Sequence, residues 1–129
     1  MAAARKTADS IARDPRRLLA ALALLLGLGE LGDAFFVSFP PGPAVFGALL
    51  LVGAFWIRRG GIGGPAFVAA LFVFEIANAP FWPRTSVADW ITSIAYPGVA
   101  LTGLVVALAV IQRFFGARKA TTTAARLEA

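Results

Sequence analysis

The chain has 129 residues, of which 59% are hydrophobic and only 15% charged, and its formal net charge is +5. Soluble domains usually carry about 25% charged residues, and the deficit here is concentrated in charge-free runs, a pattern that points to a membrane protein. The lack of Cys and His excludes disulfide chemistry, the cysteine pair of thiol-oxidising membrane enzymes, Cys-ligated iron–sulfur clusters, histidine-ligated haem, the usual zinc sites and an imidazole general base.

Residues 1–17 read as a basic cytoplasmic segment carrying Arg5, Lys6, Arg13, Arg16 and Arg17. A spanning helix takes about 20 mostly apolar residues, and the first expected span, 18–39, opens on "LLAALALLLGLG". Reading residues 1–26 as a signal peptide is disfavoured, because "GLGELGD" is a poor cleavage site and the apolar stretch is long. A second span, 43–57, stops at Arg58 and Arg59, and Gly60-Gly61-Ile62-Gly63-Gly64 then reads as a hairpin turn. Without a Lys-Ser/Thr ending this turn is not a phosphate loop. The third span, 65–81, ends where Pro80 and Pro83 oppose continuation. In 85–96, Val87, Trp90, Ile91 and Ile94 recur at helical spacing with Ser86, Asp89, Thr92 and Ser93 opposite. That pattern predicts a short amphipathic helix on the outer surface, capped by Ser86 with Asp89 in an acidic first turn. The alternative is a fourth span that begins earlier and kinks at Pro97. The fourth span is expected over 97–115, and the polar tail 116–129, "GARKATTTAARLEA", is expected to be disordered.

Charge sets the direction. Arg84 is the only one of the 12 basic residues that falls between spans three and four; the others lie at the opposite ends of the spans. The positive-inside rule then puts both termini in the cytoplasm. Phe35, Phe36, Phe39, Phe81, Trp82 and Trp90 would gather at the outer interface, and Trp56, Phe114 and Phe115 at the inner one. Because the basic residues flank apolar runs instead of covering one face, no nucleic-acid partner is expected; the expected partner is the lipid bilayer. An excess of Arg over Lys, with much Ala and Gly, suggests a GC-rich bacterial genome and hence a bacterial plasma (inner) membrane.

The sequence also carries an internal repeat. "ELGDAFF" (30–36) lies over "EIANAPF" (75–81), and "PGPAVFG" (41–47) over "PGVALTG" (97–103), in the same order. Each copy would be a two-helix hairpin, and an even helix count preserves orientation, so the axis relating the copies runs along the membrane normal. The expected fold is therefore all-α: four transmembrane helices arranged as two repeated hairpins.

Glu30, Asp33 and Glu75 are the only acidic residues inside the expected spans, and an acidic group at a helix centre costs about 2.5–3.5 kcal/mol on insertion scales. Counting back from Phe39 puts Glu30 about 13 Å below the outer interface. Glu30 and Asp33 share a helix face, and Glu75 and Asn78 repeat the spacing. Directed inward, the four side chains make an oxygen-rich cluster suited to a proton held between carboxylates, a hard cation or a cationic solute. The competing roles are interhelical hydrogen bonding, worth about 1 kcal/mol each, and docking of a partner's Lys or Arg. Gly27, Gly29, Gly32, Gly47, Gly53, Gly98 and Gly103 would let helices approach closely.

Two functions follow. One is binding or transport of a proton, cation or small solute at Glu30, Asp33, Glu75 and Asn78; four short helices leave little room within one chain, so this reading expects a homo-oligomer. The other is a non-enzymatic accessory or assembly subunit of a larger membrane complex. An intramembrane enzyme ranks last, since no nucleophile–base pair is recognisable. Neither a cofactor nor a metal site is expected. Inward-facing Glu30 and Glu75 would favour the first function, and an outward-facing acid the second.

Overall fold

From Pro15 onward, among the described residues, proline and glycine punctuate the chain into four long helices. The computed structural model describes residues 2, 3, 5, 14–36 and 41–128. Most of the expected N-terminal segment, the end of the first expected span and Phe39 lie outside these residues. The helices are α1 (Pro15–Asp33), α2 (Pro41–Arg58), α3 (Gly63–Asn78) and α4 (Val87–Glu128), with a 3₁₀ turn at Ala79–Phe81.

Each boundary has a local cause. Asp14 accepts from the Arg16 amide at 3.0 Å, and Pro15 supplies a first helical residue that needs no partner for its nitrogen. At the other end of α1 the ladder tightens: Phe35 N–H donates to the Gly32 carbonyl (3.2 Å) and Phe36 N–H to that of Asp33 (2.8 Å). The helix thus stops at Asp33 and turns through 34–36, short of the expected residue 39. Between α2 and α3, Gly60 and Gly61 take φ of 92° and 79°, a left-handed conformation open to glycine at no steric penalty. The Arg16 guanidinium closes this turn from α1, donating to the Ile57 carbonyl (2.9 Å) and the Gly61 carbonyl (2.8 Å). A cation here also meets the negative end of α2. At the far end, Ser86 and Asp89 cap α4 reciprocally: Asp89 N–H donates to Ser86 Oγ (3.1 Å) and Ser86 N–H to Asp89 Oδ2 (3.2 Å).

Two expectations are corrected. Segment 85–96 is no separate surface helix, because α4 runs unbroken from Val87 through Pro97. A proline inside a helix removes one hydrogen bond, and apolar helices tolerate that loss. Its orientation is also inside out by the standard of a soluble protein. Val87 is 77% and Ile94 68% exposed, while Ser93 on the polar side is only 7% exposed. The tail is helical to Glu128. Ala, Arg, Lys, Leu and Glu are strong helix formers, and extending an existing helix avoids the cost of nucleation. Thr121, Thr122 and Thr123 each return a hydroxyl to the carbonyl four residues back, at 3.0 Å.

The helices pack in cyclic order. α1 lies against α2 and α4, α3 lies against the same two, α1 and α3 meet only narrowly across the diagonal, and α2 does not reach α4. Glycines set the closeness. A methyl at Gly47 would lie 2.7 Å from the Gly27 carbonyl oxygen, so α1 and α2 touch backbone to backbone. Gly103 vacates the space that the Phe72 ring fills, and Gly53 receives Val68. By contrast Gly32 and Gly98 meet nothing within 4 Å, so the close approach expected of them does not occur. The buried face of α1 is Leu19, Ala23, Leu26, Gly27 and Glu30; that of α3 is Gly64, Pro65, Val68, Phe72 and Glu75. Large apolar side chains such as Leu25, Val52, Phe55, Val73 and Val105 point away from the core. α2, the stretch Gly63–Phe81 and α4 are each long and apolar enough to cross a membrane. α1 is apolar in its middle, with Arg16 and Arg17 at one end and Glu30 and Asp33 at the other.

Candidate functional site

The diagonal contact between α1 and α3 is where the acids converge. Glu30 is 6% exposed and Glu75 3% exposed, and both point into the bundle. Their carboxyl groups lie within interaction range of one another. Two ionised carboxylates offer no donor, so a hydrogen bond between them would need a shared proton. Glu75 Oε1 is buried and has no hydrogen-bond partner among the described residues. Buried polar atoms are nearly always satisfied, which makes this oxygen the open position of the site.

Helix ends shape the potential here. Glu30 lies three residues before the end of α1, and Glu75 three before the end of α3, each about 4.5 Å from its terminus. Glu30 is therefore much nearer its helix end than a helix continued to Phe39 would make it. The last turn of a helix carries a partial negative charge, and two such ends flank the two carboxyls. The site attracts positive charge and repels anions.

The remaining expected members divide. Asp33 is half-buried and lies near the Tyr96 hydroxyl of α4. Asn78 turns back on its own helix, its side-chain amide donating to the Phe74 carbonyl at 2.8 Å. Thus Glu30, Glu75 and Asp33 come together, whereas Asn78 is satisfied locally. Among the described residues no three acidic side chains converge with the geometry of a metal site.

Tyr96 is the member that the sequence reading missed. Its hydroxyl would sit 3.0 Å from a methyl placed on Gly29, so the absent side chain of Gly29 makes room for it. The Trp82 ring packs edge-on against it, 6.5 Å between centroids. One signal was available: Tyr96 is the only tyrosine in the chain. Nearby, Arg84 lies over the Trp90 ring (5.3 Å) and donates to Ser93 Oγ (3.3 Å) and the Ala79 carbonyl (3.4 Å). It ties the end of α3 to the start of α4 and pairs with none of the carboxylates.

Comparison with known protein families, with curated proteins and with solved structures finds no match to this chain.

Proposed function

We propose that this is a multi-pass protein of a bacterial plasma membrane, with four spanning helices and both termini cytoplasmic, whose Glu30–Glu75 pair binds a proton or small cation. One observation carries the reading: two glutamates face inward at the negative ends of α1 and α3, with Glu75 Oε1 buried and unpartnered. A pair used to dock a partner's Lys or Arg would face outward. Asp33 belongs to the site as its half-buried margin; Asn78 is satisfied within its own helix and lies outside it.

The two-hairpin repeat supports a site on the pseudo-two-fold axis. The register that sets Glu30 on Glu75 also sets Leu19 on Gly64, Ala23 on Val68 and Gly27 on Phe72, and all eight are buried. Gly47 and Gly103 correspond in the second repeated motif; Gly47 packs on Gly27, and Gly103 on Phe72. Equivalent residues thus make equivalent contacts.

Carboxyl-region infrared difference spectroscopy on the protein in bilayers tests the function, with Glu30→Gln and Glu75→Gln assigning the bands. A pair that changes protonation with pH, and whose band is lost in either variant, is the expected outcome. A band fixed at all accessible pH values and indifferent to added monovalent cations would reduce the pair to interhelical hydrogen bonding. A second reading, an accessory subunit of a larger complex, is favoured by the exposed extension of α4, where Phe115, Arg118, Lys119, Thr122, Thr123 and Arg126 line one helix face.

A further inference from the structure

The last turns of α4 have two unlike sides. Every residue from Gly116 to Glu128 is exposed. Phe115, Arg118, Lys119, Thr122, Thr123 and Arg126 share one side and line an open concavity there, as their spacing of three and four residues requires. Ala117, Ala120 and Ala124 fall on the other side. Glu128, the only acidic residue of the stretch, projects about 160° away from Arg126. The three cations therefore stand unneutralised, and none of their side chains has a hydrogen-bond or ion-pair partner among the described residues. The threonine hydroxyls beside them are tied to the backbone, Thr122 donating to the Arg118 carbonyl and Thr123 to that of Lys119, each at 3.0 Å. The longer basic side chains project past them. At the membrane end Phe115 is 53% exposed, its ring held edge-on by Phe114 at 5.8 Å between centroids. A topology signal needs charge only at the ends of the spans, where Arg58, Arg59 and Arg113 already stand. It does not account for cations sorted to one side of a helix over about two further turns.

We propose that this face docks an acidic α-helix of a cytoplasmic protein, whose carboxylates meet Arg118 and Lys119 at one level and Arg126 at the next, with an apolar residue on Phe115. The proposal rests on the reading of the chain as an accessory subunit and does not depend on the Glu30–Glu75 site. The register carries the choice of occupant. Arg118 and Lys119 precede Arg126 by seven and eight residues, about two helical turns, so a second helix with acids two turns apart presents one to each level. Other occupants fit less well. A second copy in the same orientation would bring like charge onto like charge across a two-fold axis. A lipid surface meets a helix that leaves it at one level, whereas these cations are stacked along the axis. Three cations neutralise too few phosphates to hold nucleic acid tightly, and a duplex backbone has nothing apolar for Phe115.

The test uses the full-length protein in nanodiscs of neutral phosphatidylcholine. The probe is a fluorescent synthetic helical peptide with Glu pairs two turns apart beside one Leu; a scrambled peptide of the same composition and a DNA duplex compete with it. The helical peptide should bind, and high salt should release it. Arg126→Gln should weaken it about two- to fivefold, the contribution of one exposed ion pair, and Phe115→Ala about five- to tenfold, as for a partly buried aromatic anchor. Replacing Arg118, Lys119 and Arg126 together by Gln should abolish binding, and Thr121→Ala, off the face, should leave it unchanged. Unaltered far-UV circular dichroism separates these losses from unfolding. No binding of the helical peptide, equal binding of the scrambled one, preference for the duplex, or displacement of the peptide by anionic lipid in the nanodisc would each overturn the docking face. The chain has no Cys, so Thr121→Cys is a unique label for the reading beneath the proposal. Its modification in intact cells by a membrane-impermeant thiol reagent would place the tail outside and overturn the cytoplasmic reading. Protection until lysis, with no peptide bound, would overturn the docking face alone.

Discussion

The two helix pairs α1–α2 and α3–α4 close in different ways. In the first the helices meet backbone to backbone at Gly27 and Gly47; in the second the Phe72 ring packs against Gly103. The residues flanking the two glutamates differ likewise. Asp33 lies near the Tyr96 hydroxyl, whereas Asn78 bonds the Phe74 carbonyl of its own helix. An amide carries its own donor and can satisfy itself on a carbonyl four residues back, but an ionised carboxylate cannot donate and must find a donor elsewhere. One atom's difference therefore seals one flank of the glutamate pair and leaves the other in contact with α4.

The largest effect should come from filling the glycine crossings. Gly47→Ala puts a methyl 2.7 Å from a backbone oxygen that cannot rotate away, and we expect it to destabilise the bundle by about 2–3 kcal/mol. Gly103→Ala meets a side-chain ring that can shift, so about 1–2 kcal/mol is expected. Reversible unfolding in detergent micelles measures both, and equal losses would erase the contrast between backbone and side-chain closure. Next is Arg16→Ala, which removes two donors from the carbonyls of Ile57 and Gly61. As one of those contacts is exposed, about 1–2 kcal/mol is expected, with Lys recovering only part because it lacks the guanidinium fork. The smallest effect is the exchange of the flanking acids. Asn78→Asp forfeits the bond to Phe74 and should lower stability by about 0.5–1 kcal/mol. Asp33→Asn, which keeps the shape of the side chain beside Tyr96, should stay within about 0.5 kcal/mol. A larger loss from Asp33→Asn than from Asn78→Asp would reverse the assignment of open and sealed flanks.

Much of this was legible in the chain. Arg58 and Arg59 followed by glycines marked the end of α2, the prolines at 80 and 83 marked the end of α3, and aligning "ELGDAFF" with "EIANAPF" brought Glu30 and Glu75 into correspondence before any packing was known. What escaped has definite causes. Treating Pro97 as a boundary cut Tyr96 off from the span that carries it; only a helix continuous through the proline turns that ring toward Gly29. The fate of Asn78 depended on competition between an intrahelical carbonyl and a cross-helix partner, which spacing alone cannot weigh. The tail was misread because its residues lack a hydrophobic face, although their helix propensity is high and the preceding span nucleates them.

The length of α4 has a geometric consequence. Its 42 residues make a rod of about 63 Å, roughly twice the hydrocarbon thickness of a bilayer. The thirteen residues from Gly116 to Glu128 would stand about 20 Å clear of the membrane surface, a distance comparable to the width of a small folded domain. Arg126, about 15 Å up this mast, lies beyond the screening length of the headgroups at physiological salt, about 8 Å. A partner that recognised Arg126 would therefore have to come from the aqueous phase, at a clearance from the lipid set by the mast.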